Sequence, residues 1–184
     1  MFFFQRFGLF ARPIAAITKI ALVFGLSFGT ALGIDNLEYK IKAAYLYNFT
    51  KFISWPQKNT ATFNICIVGS DSDPFNGLLD SLEKKTALDK PIRVFRYSDA
   101  KQTLDCHIVY FDSSFPTTEG AIAFGSLSVS SLPNFAESGG MIGFVLEEEK
   151  IKLHINLKAL KQNGLGISAK LIEVATLVEG DGHE

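Results

Sequence analysis

Residues 62–75 read TFNICIVGSDSDPF. Thr62 to Val68 is a run of β-branched and apolar residues, which predicts a strand. Gly69 and the short polar residues after it break that strand. Asp73 suits a helix N-cap and Pro74 the first helical position. The helix is expected to run to about Lys85, burying Phe75, Leu78, Leu79 and Leu82. Pro91 to Tyr97 (PIRVFRY) alternates as a second strand. Cys106 to Phe111 (CHIVYF) reads as a third, buried on both faces. Strands alternating with helices predict βαβ units and a parallel core sheet.

Upstream, Asp35 to Ser54 reads as a helix, with Asp35 and Glu38 spaced as a capping box. Leu37, Ile41, Ala44, Tyr45, Phe49 and Phe52 recur at spacings of three and four, predicting the buried face. Pro56 ends the helix. Downstream, 121–127 fits helix or loop, Leu127 to Val129 a short strand, and Leu132 to Phe135 a loop or single helical turn. After Gly139-Gly140 a hairpin is expected, MIGFVL (141–146) and KIKLHI (150–155) flanking Glu147-Glu148-Glu149. Ile151, Leu153 and Ile155 then face inward, and Lys150, Lys152 and His154 outward. Asn156 can cap a helix from Leu157 to Gln162, stopped at Asn163-Gly164. Ser168 can cap a last helix with Leu171, Ile172, Ala175 and Val178 inside. The expected fold is a single α/β domain with a mixed, mostly parallel sheet of about five to six strands. Helices cover both faces, and a C-terminal β-hairpin is followed by two helices.

The N-terminus predicts export. Arg6, Arg12 and Lys19 precede any acidic residue, and Ile20 to Ile34 is apolar and uncharged. This is the pattern of a cleaved signal peptide over residues 1–33, with cleavage after Gly33, or after Ala31 as a close rival. The uncharged run falls short of the roughly 20 residues that span a bilayer. Residues 34–184 then form the domain, with a tail frayed from about Glu179. The chain has 18 basic and 19 acidic side chains. Residues 1–33 hold three of the basic ones and no acid, so the remainder carries a net −4. That balance argues against a nucleic-acid partner. The two cysteines, Cys66 and Cys106, are either buried thiols or a disulfide, and an exported chain favours the disulfide.

Catalytic patterns are sparse. The histidines are His107, His154 and His183, and beyond residue 33 HExxH, GxSxG and P-loop motifs do not occur. Two histidines without further ligands do not make a zinc site, so neither metal nor cofactor is expected. The loop after Val68 lies where α/β proteins bind anions, but its aspartates would repel a phosphate, and a capped helix start explains it. A small-molecule site at the strand ends near Gly69 and Ser113 is the rival to a protein-binding role.

Lys42 to Pro56 (KAAYLYNFTKFISWP) resembles the opening signature of the YfiR family of periplasmic proteins. The motif residues are Lys42, Ala43, Tyr47, Asn48, Phe49, Trp55 and Pro56, with Gly69, Asn156 and Leu171 further on. FNICIVG (63–69), Asp73-Pro74-Phe75, Cys106-His107-Ile108, Gly140-Met141-Ile142, Ile155-Asn156-Leu157 and Gly166-Ile167-Ser168 match in order, so the resemblance spans about Leu37 to Leu177. It implies a periplasmic repressor, and no enzyme, that binds the periplasmic sensor domain of a membrane-bound diguanylate cyclase. Cyclic di-GMP and biofilm formation would fall. It further implies a homodimer, release by an outer-membrane peptidoglycan-binding lipoprotein, and a disulfide between Cys66 and Cys106, the family's shared pair. Some members sit beside histidine kinases or outer-membrane receptors, which makes a sensor coupled to one of these the alternative. A repressor needs an exposed apolar or aromatic patch. Tyr47, Phe52, Trp55 and Leu177 are the candidates.

Overall fold

In the computed structural model, which describes residues 31–69, 74–112 and 122–180, every residue of the Phe63–Val68 strand is buried. The signal-peptide reading, the Asp73 cap and Ser113 lie outside the described residues. From Ala31 on, the chain forms one compact unit. Helix α1 (Ala31–Phe52) leads into β1 (Ile53–Ser54) and β2 (Phe63–Val68). Helix α2 (Pro74–Leu79) continues as a 3-10 turn (Asp80–Lys84), followed by β3 (Thr86–Ala87) and β4 (Lys90–Tyr97). A second 3-10 turn (Ala100–Gln102) precedes β5 (Ile108–Phe111) and β6 (Leu127–Ser130). The chain ends with β7 (Ile142–Glu147), β8 (Lys150–Asn156), α3 (Leu157–Gln162), β9 (Gly166–Ile167), α4 (Ala169–Ile172) and β10 (Thr176–Val178).

The main sheet has eight strands in the order β10-β8-β7-β6-β5-β2-β4-β3, more than the five or six expected. The central pairs from β7 to β4 are parallel, and β8 and β3 run antiparallel to their neighbours β7 and β4. β1 and β9 form a separate antiparallel pair. The alternation of β2 splits the core in two. Phe63, Ile65 and Ile67 pack with Ala43, Leu46 and Phe49 of α1 and with Phe75 and Leu79 of α2. Cys66 and Val68 face the other way, among Ala100, Cys106, Val109, Phe111 and Phe135. That second face is covered by the 3-10 turn at 100–102 and the turns of residues 133–139.

Four local expectations are corrected. α1 begins at Ala31, so Asp35 and Glu38 lie inside it, and Glu38 pairs with Lys42 at 2.5 Å. The buried face of α1 is Lys42, Ala43, Leu46, Phe49 and Thr50, while Leu37 (60% exposed), Ile41 and Ala44 face out. The apolar pattern is broad enough to fit two phases, and packing against Phe144 and the β2 side chains selects the second. β5 starts at Ile108, so Cys106 lies in the turn before it and Val109 is the residue opposite Cys66. The predicted last helix is a single turn, and Thr176–Val178 forms an edge strand parallel to β8. The hairpin is therefore followed by two short helices and a strand.

The hairpin and α3 match their sequence signals closely. β7 and β8 pair from Ile142↔Ile155 to Glu147↔Lys150, leaving a two-residue turn of Glu148 and Glu149. Both turn residues have positive φ, 48° and 60°, as a type I′ turn requires. The Asn156 side chain accepts from the Ala159 N–H at 3.0 Å, capping α3. Gly164, at φ +75°, ends the helix: its N–H bonds Lys161 O, and the Leu165 N–H bonds Leu160 O. That pair of bonds is a Schellman motif, whose left-handed residue favours glycine.

Candidate functional site

The N-terminal ends of the central strands carry an aromatic and basic cluster. The His107 ring stacks on Phe63, with centroids 4.4 Å apart, and Trp55 meets both rings edge-on at 5.4 and 6.3 Å. The His107 Nδ1 accepts the Asn64 backbone N–H at 3.0 Å, which fixes the neutral tautomer protonated on Nε2. Burial first, then the nearby Lys58 and Lys90 ammonium groups, push the imidazole down to about 4. His107 is thus a neutral packing element at physiological pH, with one nitrogen already engaged. Beside it the Lys58 Nζ donates to Cys106 O at 2.6 Å and to Ser126 Oγ at 2.8 Å. Burial holds that ammonium below its ordinary range, against the pull of Asp105. Lys58 therefore fastens the turn that carries Cys106 to the start of β6. Cys66 and Cys106 form a disulfide, with Cα atoms 5.9 Å apart, buried within the second core.

His154 lies on the outer face of β8 between two carboxylates. Its Nδ1 is 2.8 Å from Glu137 Oε1 and its Nε2 3.2 Å from Glu147 Oε1. Burial would raise the Glu137 carboxyl, but the hydrogen bond and charge of His154 outweigh it and hold the group below its usual range. The two ring nitrogens point apart, so this arrangement ties the hairpin to the turn at Glu137 and does not converge on a metal. Among the described residues no group of three His, Cys, Asp or Glu side chains is placed to hold one.

At the opposite strand ends Gly69 meets Asp112. A Cβ on Gly69 would lie 2.5 Å from the Asp112 Cβ, and the Gly69 φ of +148° also favours glycine. β4 and β5 flank β2 on opposite sides there, the topological position where open α/β sheets bind ligands. The adjoining segments 70–73 and 113–121, which hold the rival small-molecule location, are outside the described residues.

The four residues offered from sequence as candidates for a partner surface lie in different settings. Phe52 and Trp55 are half-buried and pack against the main core. Tyr47 lines a groove of about 270 Å³ between α1 and the 3-10 turn after α2. Leu177, 47% exposed, lines a groove of about 560 Å³ with Leu157, Lys158 and Val178 beside the sheet edge. Most other motif residues build the scaffold. Ala43, Phe49 and Leu171 are core, and the Asn156 amide bonds Ala136 O at 3.0 Å besides capping α3. Pro56 lies against Gly125, where a Cβ would be 2.5 Å from its Cγ. Asn48 shares the Tyr47 groove. Sequence reasoning missed Lys58, Ser126 and Lys85, whose roles come from contacts across 46 or more residues or from another helix. No local pattern marks them.

No helix among the described residues is long and apolar enough to cross a membrane. No curated protein matches the chain. The model of the YfiR/HmsC-like family matches residues 39–176, and the chain belongs to that family.

Proposed function

We propose that the protein is a periplasmic regulator of diguanylate cyclase signalling. In this reading it binds the periplasmic sensor domain of an inner-membrane cyclase and holds the cytoplasmic catalytic domain inactive, lowering cyclic di-GMP and biofilm formation. Membership of the YfiR/HmsC-like family over residues 39–176 is the observation that carries it. The buried Cys66–Cys106 disulfide suits an oxidising compartment. The reading is of a binding protein and not an enzyme, acting as a homodimer and released by an outer-membrane peptidoglycan-binding lipoprotein. Leu177 at the open sheet edge and Tyr47 in its groove are the members of the predicted surface most available to a partner. An edge strand such as β10 offers outward backbone groups that can pair with an extended segment.

Deleting the gene and measuring cellular cyclic di-GMP tests the proposal. The expected result is a rise that is reversed by restoring the gene. An unchanged level in the deletion strain would overturn it.

A further inference from the structure

The outward phase of α1 leaves a surface that the fold does not use. Leu37, Ile41 and Ala44 are exposed and recur at helical spacing, and Ala44 lines the Tyr47 groove together with Lys40, Ala43 and Asn48 of the same helix. The opposite wall includes Leu78 and Lys85. Above the groove the Tyr47 ring holds two ammonium groups, Lys51 Nζ at 4.5 Å and Lys85 Nζ at 4.7 Å from its centroid. Lys40 stands on the same rim.

These cations have no counter-charge within the described residues. The neighbouring acids are committed elsewhere: Glu38 to Lys42, Asp80 to Arg96 at 2.6 Å, and Glu83 to the Val94 N–H and Arg93. A cation–π contact places an ammonium group without neutralising it. A chain with more acidic than basic side chains thus gathers uncompensated lysines at one apolar groove. The chemistry that completes it is acidic and apolar together.

We propose that this groove docks an acidic segment of a protein partner, with an apolar side chain seated against Ala44 and Tyr47 and carboxylates reaching Lys40, Lys51 and Lys85. Its volume, about 270 Å³, is below the range of pockets that enclose a small ligand, and suits one anchoring side chain of a larger partner. The proposal rests on the regulatory reading for the existence of a partner, while the groove's own chemistry can be tested without it.

The experiment is a fluorescence-polarisation titration of the disulfide-bonded protein, purified from the periplasm. The probe is a short labelled peptide of aspartates and glutamates around a central phenylalanine, compared with the same peptide carrying lysines in place of the acids. Saturable binding of the acidic peptide alone, weakened by salt and reduced about tenfold or more by Lys51→Glu with Lys85→Glu, is expected. The double variant should keep the parent melting temperature, since both lysines are exposed. No binding, or equal binding by the double variant, would overturn the proposal. Displacement by free glutamate or inorganic phosphate at the same concentration as the peptide would also overturn it, in favour of a small-anion site. In cells, the double variant should raise cyclic di-GMP towards the deletion level. If the deletion raises it and the double variant represses fully, the groove is not the docking site and the regulatory reading stands. If the deletion changes nothing, the regulatory reading falls and the titration alone decides the groove.

Discussion

Acid should destabilise this fold through His107, by an amount that can be worked from its surroundings. In the native state Nδ1 accepts the Asn64 N–H, so a proton there would set two donors against each other beside Lys58. The folded imidazole titrates at about 4, and the unfolded one at its ordinary 6.5. Between those values the unfolded state binds more protons, so stability falls as the pH falls. Above 6.5 both states are neutral at this residue and its contribution is intact. Below about 4 both are charged and the contribution is gone. At about 1.4 kcal/mol per pH unit, the loss across the window is about 3 kcal/mol. The assay is urea denaturation from neutral pH to about pH 4, for the parent and for His107→Phe. The phenyl ring keeps the stack on Phe63 and removes the titration, but leaves the Asn64 N–H without its acceptor. The variant should therefore start about 1–3 kcal/mol less stable at neutral pH. The gap should narrow on acidification, since the carboxylates common to both proteins cancel. A gap that stays constant from neutral pH to about pH 4 would refute the assignment of His107 as a buried neutral acceptor.

Replacing both Cys66 and Cys106 by alanine should cost up to about 4 kcal/mol, the loop-closure value for a 40-residue separation, read from denaturant midpoints. Thiol labelling of denatured, unreduced protein should find neither cysteine, and full labelling of both would contradict the bridge. At the hairpin tip, Glu148→Asn with Glu149→Gly should raise stability by about 1 kcal/mol, because both positions hold positive φ and the Asn-Gly pair adopts it most readily. A fall in melting temperature would argue against the two-residue turn.

What the sequence made legible was whatever a local rule decides. Asn156 as a cap, Gly164 as a stop, the two-residue spacing of Ile151, Leu153 and Ile155, and Pro74 at a helix start each follow from a few neighbouring residues. What it hid depends on partners far along the chain. The α1 pattern holds apolar residues on more than one side, so its phase is chosen by the side chains of β2 and β7, not by α1 itself. Thr176–Val178 becomes a strand because β8 offers it an edge, and nothing within three residues could announce that. Cys66 and Cys106 pair although they are not opposite in register, because the turn before β5 folds over the face that Cys66 shares with Val109.

The same division separates the scaffold from the surface that would carry specificity. Ala43, Phe49, Asn156 and Leu171 are held by the core or by a helix cap, and Gly69 by its contact with Asp112. These are the residues on which the family resemblance rests, so the resemblance speaks chiefly for the fold. Lys85, Leu37 and Leu177 are not among the motif residues, and Lys51, though inside the signature stretch, is not one of them either; all four are exposed, where a change costs the fold little. If a partner reads this protein, it reads residues of that kind. The motif residue Tyr47 is the exception that joins the two sets: half-buried against the core, it also holds the Lys51 and Lys85 ammonium groups over its ring. The fold thereby fixes where an otherwise mobile pair of cations stands, and a docking groove needs that placement before any partner arrives.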